Sequence, residues 1–365
     1  METNDLIYLL SCAVNGVTPD AERVAGMDLD AIYKLASRHM LAATVTPALK
    51  AAGVQDERFA KALEHSALKS STMDMEMDAV FTELDAAGIW HMPLKGIVLQ
   101  HYYPVYGMRQ MSDHDFLIDA ERAEDIKTIM EGLGFQIESF GASKHDVYYK
   151  PPVSNFQMHR TLFEPNHDDK LFEYYKDVEK RLLGDGCEKH LSPEDFYLYI
   201  IAHEYEHYSN AGTGLRSVLD TYVYLQKITL DMAYVTAEAE KLGIAKFEVT
   251  NRSLALHLFS GESLTETDTE MLNYILDSGV YGTANHRMEN KMRRNGWGKL
   301  GYALDRFAVP VSRKNKRYTG FAAQYPFFYQ HKVLLPFLPF YRIFRAMKAG
   351  RFQAEAKALK NAKKA

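Results

Sequence analysis

The sequence is short of cysteine, of tryptophan and of long apolar runs, and each shortage excludes something. Two cysteines, Cys12 and Cys187, in 365 residues make neither a disulfide framework nor a zinc ribbon. They fit a reducing compartment, so a cytoplasmic location is expected. No stretch reaches the ~18–20 uninterrupted apolar residues of a spanning helix, so no transmembrane segment is expected. Met1–Asp5 carries no positive charge ahead of the short apolar run Leu6–Leu10, which therefore does not read as a signal peptide. What is present is an ordinary globular balance, 47% hydrophobic and 25% charged. That balance sets aside disorder, collagen-like repeats and a simple coiled coil. At roughly 100–200 residues per domain, two or three packed units are expected.

Positive charge is scarce in most of the chain and concentrated at its end. From Arg287 onward, 19 lysines and arginines face three acids, Glu289, Asp305 and Glu355. The first 286 residues hold 24 basic and 45 acidic side chains. So unequal a division points to a basic tail that meets something anionic: its own acidic body, a nucleotide, nucleic acid or a membrane surface.

Four stretches follow from the patterning. Residues 1–88 read as helical, with apolar positions at helical spacing over Asp30–Ala52 and again over Glu57–Ala87, where Gly88 supplies a stop. The methionines and aromatics of that second run read as core filling. Residues 89–185 change texture. The short apolar run Ile89–Leu94, the Lys95-Gly96 break and the buried-strand signature Asp115-Phe-Leu-Ile118 precede a helix over Ala120–Leu133. Extended runs follow at Phe135–Phe140, Asp146–Tyr149 and Phe156–Phe163, so helix among strands predicts a small α/β core. Residues 186–285 return to helix, opened by Ser192-Pro193-Glu194-Asp195: a serine cap, proline at the first helical position and acids against the dipole. Residues 286–365 form a basic, aromatic extension. Its prolines forbid one long helix over Tyr325–Phe344, and its end reads as an Ala/Lys-rich helix. The class is α+β.

The segment richest in chemistry is Arg109-Gln-Met-Ser-Asp-His-Asp-Phe-Leu-Ile118. Asp113 and Asp115 stand two apart, so an extended chain projects both carboxylates from one face. Carboxylates held side by side repel unless a cation sits between them. Mg²⁺ (or Mn²⁺), which takes one or two carboxylates plus substrate phosphate oxygens, is the natural occupant. Upstream, Lys95-Gly96 marks a strand-to-helix junction where free N–H groups and the lysine can receive phosphate. Arg109 and Ser112 are further donors close to the pair.

These residues carry a resemblance. Leu94-Lys-Gly-Ile-Val-Leu, then Tyr103-Pro, then Arg109 to Ile118 resemble the signature of the uncharacterised bacterial nucleotidyltransferase family of the polymerase-β superfamily. Phe156-Gln-Met-His-Arg, Leu191-Ser-Pro-Glu-Asp with His203 and His207, Leu215-Arg-Ser-Val-Leu-Asp220 and the C-terminal Tyr325-Pro and Tyr341-Arg extend it over about residues 28 to 345. The resemblance implies a small mixed-sheet core flanked by helical regions. It also implies transfer of NMP from an NTP such as ATP to a hydroxyl of a small-molecule or protein acceptor. The metal would be held by Asp113 and Asp115, and the phosphates by Lys95, Gly96, Arg109 and Ser112. His159, His203, His207, Arg216 and Asp220 would line the cleft, with Arg216–Asp220 equally readable as a structural ion pair. The departure is at the third carboxylate. In the family a Glu precedes the His by two residues, and here Gln157 precedes His159. An amide oxygen can ligate Mg²⁺ but neither neutralises a second metal nor accepts a proton well. Asp146 or Glu164 is therefore a candidate substitute, and a nucleotide-binding protein or scaffold without turnover is the alternative.

One competing motif remains. His203-Glu204-Tyr-Glu-His207 fits H-E-x-x-H, in which two histidines one helical turn apart bind Zn²⁺ and the glutamate activates water. A zinc protease needs a third ligand, for which Asp220 and Glu238 are the nearest candidates.

Overall fold

A computed structural model describes residues 2–164, 168–280, 282–313, 315 and 317–348. The chain divides into two compact units: residues 1–205 with 214–276, and residues 206–213 with 277 onward.

The larger unit is built on a five-stranded mixed sheet. The strands are β1 (His91–Pro93), β2 (His114–Ile118), β3 (Gln136–Ser139), β4 (His145–Lys150) and β5 (Ser154–His159), in the spatial order β1-β2-β5-β4-β3. Only β2 and β5 run parallel; every other neighbour is antiparallel. Alternation along the strands sends Phe116, Ile118, Tyr148, Phe156 and Met158 to one face. There they pack with Met73, Val80 and Leu84 of the helix Glu57–Ala86 and with Ile126 and Met130 of the helix Ala123–Gly132. Each fully buried aliphatic or phenyl side chain contributes about 1.5–3 kcal/mol, so this face fixes which residues remain on the other. The expectation of an α+β fold, a small mixed sheet with helical flanks, holds. No helix of the described residues is long and apolar enough to cross a membrane.

Several elements form where their local chemistry places them. The 30-residue helix Glu57–Ala86 starts at Asp56, whose carboxylate accepts from Arg58 N–H, and ends before Gly88 at φ 66°. Ser192 Oγ accepts from Asp195 N–H at 3.1 Å at the start of the helix Pro193–Asn210. The run Asp30–Ala52 is not one helix. It is Leu29–Arg38 and Ala42–Ala51, separated at Met40, which takes φ 54° while Leu41 N–H turns back to Ala36 O at 2.8 Å. That is a helix-terminating bond pattern, which apolar periodicity alone does not register. The expected strand Phe156–Phe163 ends early, at His159. In the second unit the prolines break the chain into Tyr318–Gln324, Pro326–Gln330, a 3₁₀ stretch Lys332–Phe337 and Leu338–Lys348. The Ala/Lys-rich end lies outside the described residues.

The helix break carries a pH consequence. His39 is fully buried, and its Nδ1 accepts from Leu215 N–H at 3.1 Å. Burial, with the charge of Arg38 acting in the same direction, pushes its pKa down to about 4. The folded value lies below the unfolded one, so this contribution is whole above about pH 6.5 and is lost as pH falls toward 4. The urea midpoint is expected to record a loss of about 2 kcal/mol from this residue between pH 7 and pH 5. His39→Asn, which keeps an acceptor for Leu215, should flatten that part of the slope. An unchanged slope in the variant would contradict the assignment.

Candidate active site

The parallel pairing of β2 with β5 sets Asp115 opposite Gln157 and Leu117 opposite His159. Phe116, Phe156 and Met158 lie in the apolar cluster, so Asp115, Gln157 and His159 project from the other face. Asp113 comes just before β2, and Gln157 Nε2 donates to its Oδ2 at 2.8 Å. The two aspartates therefore reach the same end of the sheet, Gln157 being bonded to the first and opposite the second in register. On the opposite side of β2, Leu94 N–H donates to Asp115 O at 2.9 Å, which delivers Lys95 to the same place.

Lys95 sits at φ 46° and ψ −113°, a conformation that costs a non-glycine residue about 1–3 kcal/mol and persists only where the surroundings enforce it. Here its Nζ donates to Asp115 Oδ1 at 2.9 Å, and His159 Nε2–H donates to the same oxygen at 2.7 Å. Burial opposes ionisation of Asp115, which is only 7% exposed, but Lys95 and His159 outweigh it and hold the carboxyl far below the usual carboxylate range. His159 is itself pushed down to about 4, chiefly by burial, so it is neutral at pH 7 and free to donate. The ring of His145 lies 4.9 Å from it, and burial lowers that imidazole too.

Asp113 is set the other way. Burial, then the charge of Asp115, raises its pKa, while Lys95, Arg216 and Lys69 partly offset them. Two carboxylates whose environments push them apart are an arrangement that costs free energy until positive charge arrives. Lys69 is the residue that sequence reasoning missed. It comes from the helix Glu57–Ala86, donates to Ser112 O at 2.8 Å, and has its pKa lowered by burial and raised by Asp113. Nothing in its local sequence marks it; its placement on the helix facing the loop before β2 does.

Arg109 and Asp220 form a separate buried knot. Arg109 Nε and Nη2 donate to the two oxygens of Asp220, each at 2.8 Å, and Tyr103 OH donates to Asp220 Oδ1 at 2.7 Å. Asp220 thus takes its hydrogen bonds from Arg109 and Tyr103, while Arg216 Nη1 donates to Gln110 O at 2.6 Å. Burial and the neighbouring Arg109 charge lower the Arg216 pKa. Gly96 is explained by the same knot. A Cβ on it would collide with Arg109 Nη1 and approach Met111 Sδ to 2.9 Å. Gly96→Ala is therefore expected to displace a buried, paired guanidinium at a cost of about 2–4 kcal/mol. Thermal melts would read this directly, and a melting temperature equal to that of the parent protein would contradict it.

The remaining expected residues separate. Ser112 stands beside Asp113, its hydroxyl 3.8 Å from Met40 Sδ. Asp146 does not substitute for the third carboxylate. It pairs with Met158 in the sheet register, so it faces the apolar side, where Arg160 Nε at 2.8 Å and Gly141 N–H take its oxygens. Glu164 accepts from Lys144 N–H at 3.0 Å. His203 and His207 lie one turn apart on the helix Pro193–Asn210, with the ring of His203 against Tyr199. Between them Glu204 is buried and accepts from Asn251 Nδ2 at 3.0 Å; burial, with the charge of Asp220, pushes its pKa up to about 8. Among the described residues no group of three or more histidines, cysteines or acids gathers as a metal nest. The zinc protease reading gains no support from this helix.

A mixed sheet with helical flanks thus carries an acid pair at one strand end, with Lys95 and Lys69 brought close to it. In comparison with protein families, the model of an uncharacterised nucleotidyltransferase family matches residues 25–260, and the chain belongs to that family. Neither the curated proteins nor the solved structures give a match.

Proposed function

We propose that the chain transfers a nucleoside monophosphate from an NTP, ATP among the candidates, to a hydroxyl of a small-molecule or protein acceptor. Mg²⁺ (or Mn²⁺) would be held by Asp113 and Asp115. The observation that carries this reading is the convergence of Asp113 and Asp115 on one end of the sheet, with Lys95 bonded to Asp115 and Lys69 bonded to the backbone just before Asp113. The donor set fits a hard cation. Two carboxylates at one sheet end offer the oxygen ligands such a cation takes, Asp113 Oδ2 accepting from Gln157 and Asp115 Oδ1 from Lys95 and His159. Family membership supports nucleotidyl transfer as the general class.

The metal, when bound, would polarise the α-phosphate and lower the pKa of the acceptor hydroxyl. The chain's own part is positioning and charge neutralisation. Lys95 orients Asp115. Lys69 and Arg216 balance the triphosphate, with Ser112 beside Asp113 as a hydroxyl donor. Arg109, engaged by Asp220, and Gly96, which makes room for it, shape the wall rather than reach the phosphates. His159 holds Asp115 ionised from below.

A second reading, nucleotide binding without turnover, is favoured by one feature: a neutral glutamine stands next to Asp113, where the resemblance implies a carboxylate. Purified protein with labelled NTP and Mg²⁺ separates the two. Pyrophosphate release that disappears in Asp113→Ala supports the transferase, and saturable binding with no release supports the sensor. Absence of both would remove the nucleotide from the account.

A further inference from the structure

The second unit exposes apolar surface where a domain of its charge has least reason to. On the helix Leu338–Lys348, Phe340, Phe344 and Met347 recur at spacings of four and three, so they form one stripe, and all are exposed, Phe344 at 65%. On the helix Lys299–Phe307, Leu300, Leu304 and Phe307 form a second stripe, with Leu300 at 74% exposure. The stripes meet: the rings of Phe307 and Phe340 are 6.5 Å apart, and Arg342 Nη1 donates to Arg306 O at 3.0 Å. The opposite sides of these helices are already satisfied, with Tyr302 in one small core and Leu338 in another. Two adjoining exposed stripes make a patch rather than scattered apolar residues.

The charge around the patch selects its occupant. Arg345 and Lys348 are exposed on the same helix as Phe344 and Met347. Of the three acids from residue 287 onward, Asp305 is buried and neutralised by Lys291 and Arg317, at 2.6 Å from the latter. From residue 287 onward the sequence carries 19 basic residues against those three acids, an excess of 16. An aromatic and aliphatic face bordered by basic side chains, on helices too short to span, is the chemistry of a segment lying in the interface of an anionic bilayer. A second copy presenting the same face would bring like charges together.

We propose that this face, centred on Phe307, Phe340 and Phe344, docks the protein on an anionic lipid surface. The phenyl rings enter the acyl boundary, and Arg345 and Lys348 lie against the headgroups. The proposal is independent of catalysis at the aspartate site. Co-sedimentation with phosphatidylcholine vesicles containing phosphatidylglycerol tests it. Binding should be at least ten-fold stronger than to pure phosphatidylcholine, should fall as salt rises, and should fall at least ten-fold in Phe344→Glu. Since Phe344 is exposed, that variant should melt with the parent protein; Arg345→Glu/Lys348→Glu is the second variant, expected to lose the anionic preference. Equal binding to both vesicle types, no binding at low salt, or full binding by Phe344→Glu would overturn the proposal. So would a concentration-dependent dimer, by light scattering, that Phe344→Glu abolishes while lipid binding is absent.

Discussion

Asp113→Asn and Asp115→Asn are expected to abolish pyrophosphate release together, by about 10³-fold or more, while moving stability in opposite directions. Loss of activity follows because each removes one charge from the cation site on which transition-state stabilisation depends. The stability signs follow from the two environments. Asp113 has its pKa raised by burial and by Asp115, so its ionised form at neutral pH is a net cost to the folded state, and a neutral asparagine removes that cost. The metal-free Asp113→Asn protein should therefore melt higher than the parent. Asp115 is held ionised by Lys95 and His159, and a neutral side chain there leaves Lys95 unpaired in a largely buried position. Asp115→Asn should lose about 3 kcal/mol. Melting curves in chelator check both signs, and a common direction would contradict the opposed setting of the pair.

Gln157→Glu has the second largest expected effect. In the parent protein the amide donates to Asp113 at 2.8 Å. A carboxylate there loses that bond and adds a third negative charge, so without metal the variant should melt lower than the parent. With Mg²⁺ and NTP the same charge becomes a ligand and a proton acceptor. Turnover should then rise by about 10²-fold, the scale on which a positioned acid–base group acts. Mg²⁺ should also raise the melting temperature of the variant more than that of the parent. If turnover stays flat while the metal-dependent shift grows, position 157 acts in binding alone. If neither changes, the glutamine is not at the third position of this site.

Much of this was legible in the sequence because it depends on short-range pattern. Asp113 and Asp115 two apart ahead of Phe-Leu-Ile, the Lys95-Gly96 break and the capped start at Ser192 are local signals, and the chain folds locally as they indicate. The pairings that organise the site are not local. Arg109 meets Asp220 across 111 positions. Lys69 is one of many lysines until its helix is laid against the loop holding Ser112. Asp146 was a fair substitute until the antiparallel register with β5 assigned it to the apolar face; a shift of one residue would have reversed that. Gly96 read as part of a phosphate cradle because strand-to-helix glycines often are. Folding also brings a guanidinium against it, which no local signal announces. Periodicity fixes which face a residue takes within its own element, but not what the neighbouring element brings to it.

The most direct measurement is Mn²⁺ binding followed by electron paramagnetic resonance in the presence of a non-hydrolysable NTP analogue. The account predicts saturable binding by the parent protein, depressed at acid pH as Asp113 protonates, and loss of that binding in the well-folded Asp113→Asn variant. Identical Mn²⁺ affinity in parent and variant would contradict a cation seated between Asp113 and Asp115.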